Sequence, residues 1–222
     1  MSNLSTLLIN GGIVVSILLL FSVAALTITL LKVWQFWRVF SLSSRLPDQA
    51  LHELTLGQRN QARLLVQGSH NPRGVLIKTA LSLLGNDTLT LAETRDEVLR
   101  QARQLAGALY SYLRPLEVIA TLAPLLGLFG TVLGMIEAFR AMEAAGSQVN
   151  PAVLSGGIWQ ALLTTAVGLG VAIPVSLAHS ALERRADVET LALQNTADQL
   201  FTLHAMHGLQ ETHGTHTVRT AG

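Results

Sequence analysis

Cysteine is missing from all 222 residues, and charge is scarce. The first absence excludes disulfides and thiolate metal sites while fitting any compartment. The second is more telling: 13% of the residues are Asp, Glu, Lys or Arg, against about 25% in an ordinary soluble domain. Neither sign prevails, since 15 Lys and Arg face 14 Asp and Glu, so no basic field points to nucleic acid. No paired carboxylates, activated nucleophile, metal-ligand set or phosphate loop stands out, and an enzyme is not expected.

Apolar residues fill the gap. They make up 50% of the chain, mean hydropathy is +0.43, and they are gathered into three runs. Ile13 to Leu31 is a run of 19 uncharged residues, extendable back to Leu4, and Val118 to Ile136 is another 19. From Pro151 to Leu182, 32 residues pass without one Asp, Glu, Lys or Arg. A bilayer core takes about 20 apolar residues in a helix. Only helices or closed barrels span it, because the backbone must satisfy itself. None of the runs alternates with period two, so the expected fold is an all-α integral membrane protein with three transmembrane helices. The first run lacks the cationic start of a signal peptide and is too long for its apolar core. It reads as an uncleaved anchor, closed by the interfacial "KVWQFWR" with Trp34 and Trp37.

Orientation follows from the cations. All Lys and Arg except Arg140 fall at Lys32, in segment 38–115, or after residue 182. Such residues stay cytoplasmic. The expected order is therefore a periplasmic start and first span (1–37), a cytoplasmic helical segment (38–115), a second span (116–142), a periplasmic link (143–150), a third span (151–182), and a cytoplasmic helix and tail (183–222).

Within segment 38–115, a weak apolar stripe predicts a helix to about Gln67, "GSHNPRG" (68–74) a turn, and Val75 to Leu84 a short helix. Thr90 and Glu93 match a capping box. The helix that they open is expected to run through Pro115 into the second span with only a bend there. The second and third spans would thus belong to long helices reaching into the cytoplasm as one rigid pillar. The tail carries His204, His207, His213 and His216; with no acidic or thiol partner, a frayed polar terminus is expected rather than a metal site. His179, near the inner end of the third span, is expected to serve packing or the interface.

Small residues recur at spacings of three and four on both later spans. Gly127, Gly130 and Gly134 mark the stripe on the second, and Gly157, Ala161 and Gly168 that on the third. Such stripes let membrane helices approach closely. Each stripe also carries a mid-membrane hydroxyl, Thr131 on one and Thr165 on the other, with Thr164 beside it and Gln160 a turn earlier. A lone threonine satisfies itself on its own helix, so tight packing is one reading. A shared polar lining is the other. Neither span has an ionisable group near its centre. Glu117 and Glu137 stand at the two mouths, with Arg114 near the first, either as mouth charges or as plain interfacial residues. Ionisable residues normally mark ion pathways in membranes, so a titrating group for any pathway here belongs to another chain.

"APLLGLFGTVLGMIEAF" (123–139) followed by "GGIWQALLTTAVGLGVAIP" (156–174) resembles the signature of the MotA/TolQ/ExbB proton-channel family. The three-span topology resembles ExbB first and TolQ next. The resemblance implies a bacterial inner-membrane location and a homo-oligomeric ring, a pentamer in the family. The ring encloses the helices of an ExbD- or TolR-like partner whose aspartate titrates as protons cross, and the movement passes to TonB or TolA. It implies no cofactor beyond the transported ion. Family pore threonines align with Thr131 and Thr165. One departure stands out: where ExbB and TolQ commonly carry a glutamate, this chain has Gln160, which hydrogen-bonds but does not titrate.

Overall fold

A computed structural model describes residues 2–41, 45–85, 89–145 and 151–219. Seven helices follow one another: α1 (Ser2–Ser41), α2 (Leu46–Thr55), α3 (Arg59–Val66), α4 (Pro72–Leu84), α5 (Leu91–Tyr110), α6 (Leu113–Ala145) and α7 (Pro151–Arg219). There is no strand among the described residues. Three helical stretches are long and apolar enough to cross a membrane: Gly12–Trp37, one within Leu91–Ala144 and one within Leu154–Met206. The protein is an all-α, multi-pass membrane protein. The chain divides into two compact units, one of Met1–Val33 with Tyr112–Glu183, the other of Trp34–Ser111 with Arg184–Gly222.

The first unit holds the apolar helices. Its α1 is broken at Gly12, where φ is +62°, so the expected backward extension to Leu4 lies beyond a break in the helix. From there Leu18, Ala25 and Lys32 fall seven residues apart on a buried face. Lys32, expected as a cation just past the membrane, is only 2% exposed. Trp34 and Trp37 remain exposed, as interface anchors require.

The second unit is a small helical domain. Leu51, Leu54, Val66, Leu76, Ile77, Val98, Leu193 and Leu200 form its core. Arg73 ties three of its helices together: Nη2 donates to Asp48 Oδ1 at 2.6 Å and Nε to Thr196 Oγ1 at 3.0 Å. Tyr110 donates its hydroxyl proton to Asp187, joining α5 to α7. Burial pushes the Glu189 carboxyl above its usual range, against the pull of Arg185 and Arg73.

Three expectations are corrected here. The helix expected to reach Gln67 divides into α2 and α3, because Gly57 takes a left-handed φ of +76°, the geometry with which glycine ends a helix. The helix expected to bend at Pro115 stops earlier: Ser111 is extended (ψ 138°) and Tyr112 has φ +64°. Pro115 then sits in the first turn of α6, where its missing N–H costs nothing. The helix expected from Val75 starts three residues earlier, at Pro72, inside the expected turn 68–74, and ends at Leu84 as expected. Asn71 accepts from the Arg73 amide and caps α4, while Thr90 and Glu93 form the reciprocal box at the start of α5.

Candidate pore wall in the apolar unit

The chemistry of the apolar unit gathers where α6 meets α7. The contact can be read from what a β-carbon on each glycine would strike. At Gly157 it would lie 2.6 Å from Ala138 Cβ, at Gly134 3.0 Å from Ala161 Cβ, and at Gly130 2.6 Å from Thr164 Oγ1. At Gly127 it would meet Thr165 Cα at 3.1 Å, and at Gly168 the Ala123 carbonyl oxygen at 2.7 Å. Position rises on one helix as it falls on the other, so the pair is antiparallel. Gly127, Gly130, Gly134, Gly157, Ala161 and Gly168 all lie in this seam. By contrast, Gly156 and Gly170 have nothing within 4 Å of that position. Small side chains sit where backbones nearly touch, and dispersion over that length holds the pair where lipid offers no hydrophobic drive.

The threonines differ in what they do. Thr164 is 3% exposed and points into the seam. Its hydroxyl faces the carbonyls of Ala161 (2.7 Å) and Gly127 (3.3 Å). It was expected in a polar lining beside Thr165; the structure places it between the two helices of its own chain, wedged against Gly130. Thr165 is half-buried and donates across to the Gly127 carbonyl at 3.1 Å. Gly127 thus receives hydroxyls from both, which pins the register of the pair at its middle. Thr131 is half-buried too and returns its hydrogen bond to Leu128 O of its own helix at 2.6 Å. Gln160 is half-buried one turn before Thr164.

Prolines add a second polar element. Pro124 lies within α6 and Pro174 within α7. Each lacks the N–H that would bond four residues back, leaving the carbonyls of Ala120 and Gly170 open to another donor. Sequence reading passed over these carbonyls, although the prolines were in plain view.

The mouth charges stay apart. Arg114, Glu117 and Glu137 are all exposed, and Arg114 forms no ion pair with Glu117 among the described residues. No group of three metal-ligating side chains occurs among the described residues. The side chains of His207, His213 and His216 lie outside them.

Comparison with known proteins gives the family. The family model described as the MotA/TolQ/ExbB proton channel family matches residues 68–195. The chain is 30% identical over 194 residues to the biopolymer transport protein exbB1 of Vibrio cholerae, covering 84% of this chain and 85% of that one. It is 32% identical over 157 residues to the biopolymer transport protein ExbB of Neisseria gonorrhoeae, covering 71% and 62%. It is 36% identical over 88 residues to the Tol-Pal system protein TolQ of Haemophilus influenzae, covering 40% and 38%.

Proposed function

Because the chain belongs to the MotA/TolQ/ExbB proton channel family, we propose that it is the ring-forming, proton-conducting subunit of an ExbB-type motor. It sits in the bacterial inner membrane with its N-terminus periplasmic and its C-terminus cytoplasmic. Copies of it, five as in the family, place α6 and α7 around the single-span helices of an ExbD- or TolR-like partner. The partner supplies the titrating aspartate. Movement driven by its protonation cycle passes to a TonB-type periplasmic protein and drives active transport across an outer membrane.

One observation carries this reading. The α6–α7 pair holds two threonine hydroxyls at mid-span within stretches without any Asp, Glu, Lys or Arg, from Val118 to Ile136 and from Pro151 to Leu182, where the one histidine, His179, lies near the inner end. Hydroxyls relay and orient protons or water but do not release protons at neutral pH. A wall of this kind complements an acid brought by another chain. Thr165 is bonded to Gly127 and Thr131 to Leu128, yet each oxygen keeps lone-pair capacity for a water molecule. Gln160 contributes an amide to the same wall and no charge.

A TolQ-like role in envelope integrity is the second reading, favoured by the TolQ match across 88 residues. A passive scaffold is the third. Exchanging Thr131 and Thr165 for valine keeps shape and removes the hydroxyls. In vesicles holding the complex with its partner, T131V and T165V are expected to lower proton flux by about tenfold or more, the scale of lost proton-transfer assistance. Unchanged flux with the complex still assembled would make the threonines packing groups and the protein a scaffold.

A further inference from the structure

The second unit holds a cavity to which the pore reading gives no task. Its volume is about 410 Å³, and small-molecule sites run from roughly 300 to 1,000 Å³. Helices α2, α3, α4 and α7 all reach it, with the left-handed Gly57 at its edge. Its lining has two characters. Leu54 and Leu200 are buried and Leu81, Leu84 and Leu203 half-buried, which makes an aliphatic wall. The polar lining comes from Arg59, Asn60 and Arg63 of α3 and from His204 of α7. No Asp or Glu lines the cavity among the described residues.

The two arginines give the cavity its direction. They stand four residues apart, which puts their β-carbons about 5–6 Å apart on one face of α3. Like charges at that spacing destabilise a helix. Arg59 is also the first residue of α3, at the end where the helix dipole is already positive. The helix reads "RNQARLLV" and holds no acidic residue to offset either charge. Neither guanidinium forms an ion pair among the described residues. An anion in the cavity would relieve all of these repulsions at once, and an aliphatic body on that anion would keep water off the leucines.

We propose that this cavity binds a small soluble organic anion. Its phosphate or carboxylate head sits between Arg59 and Arg63, and its aliphatic body lies against the leucine wall. Guanidinium groups take either head through paired N–H donors. No Phe, Tyr or Trp lines the cavity among the described residues, so the usual stacking platform for a nucleobase is missing. The sequence favours a soluble source over a lipid headgroup. Helices α2, α3 and α4 belong to the charged segment 38–115, and Leu200 comes 18 residues after Leu182, where the charge-free run ends. The bound anion ties α3 to α4 and α7 within the second unit. None of this depends on the pore reading.

The test uses the full chain in nanodiscs of zwitterionic lipid, dialysed to equilibrium against labelled hexyl phosphate with empty discs as the blank. Saturable binding of one molecule per chain is expected, and its absence would overturn the site. R59Q/R63Q is expected to weaken binding about tenfold or more, the scale of lost hydrogen bonds to a charged group. Unchanged affinity in that variant would overturn the role of the arginines. Without ligand, R59Q/R63Q is expected to melt no lower than the unaltered chain, because it loses a like-charge pair. A lower melting temperature would make the arginines structural groups and overturn their role in binding. Inorganic phosphate is expected to bind more weakly than hexyl phosphate, by about fourfold for each methylene that the wall covers. Equal affinities would leave only exposed cations and overturn the aliphatic part. Loss of hexyl phosphate binding in discs containing anionic lipid would make the occupant a lipid and overturn the soluble source.

Discussion

Gly168 shows how sharply single atoms are specified at the α6–α7 seam. A methyl group at this position would stand 2.7 Å from the Ala123 carbonyl oxygen, and a backbone oxygen cannot rotate out of the way. The helices would have to separate, and overpacking of this kind costs about 1–3 kcal/mol. Gly168→Ala is thus expected to lower the thermal stability of the purified, detergent-solubilised protein. Gly170→Ala, two residues on, meets open space and removes a poor helix former, so it should be neutral or slightly stabilising. Equal effects from the two would mean that the close approach is absent. The small-residue stripe was legible from spacing alone, since three- and four-residue intervals define a helix face. The division of labour between Thr164 and Thr165 was not. Adjacent residues differ by about 100° around a helix, and only the partner helix decides which of two neighbours is shut in the seam. Here that helix is α6, whose Gly130 leaves the space that Thr164 fills.

At the scale of elements, the junction of α5 and α6 is the feature that sequence reading placed wrongly. Proline drew attention to residue 115, yet the backbone turns at Ser111 and Tyr112. A tyrosine at φ +64° carries a penalty of about 1–2 kcal/mol, because its β-carbon crowds the following carbonyl. Tyr112 is 68% exposed, so little packing repays it. Tyr112→Gly should therefore be more stable than Tyr112→Ala by about 1 kcal/mol in matched denaturation experiments, since both lose the ring and only glycine relieves the backbone. If alanine is as good, the left-handed turn is not retained in solution. No residue type in "YSYLRP" announces a left-handed tyrosine, which is why pattern alone missed the break. The Thr90–Glu93 box was legible for the opposite reason. Its side chains bond to amides three residues away, so the signal and its effect share one short window.

For the whole molecule, the consequence lies in what the apolar unit withholds. A proton crossing about 30 Å of hydrocarbon needs either a titratable group on its way or a continuous file of water. Through the mid-span stretches of α6 and α7 this chain offers hydroxyls, an amide and two open carbonyls, but no acid or base until His179 and Glu183 on one helix and Glu117 on the other. Burying a charge of its own at that depth would cost several kcal/mol; a neutral wall avoids this, and in the proposed function the carboxyl comes from a neighbour. The chain alone, reconstituted in vesicles under a pH gradient, is therefore expected to leak protons no faster than empty vesicles. Adding the single-span partner should open conduction, and exchanging the partner's membrane aspartate for asparagine should close it. Conduction by this chain alone would mean that water and hydroxyls suffice, and the division of the proton path between two proteins would have to be abandoned.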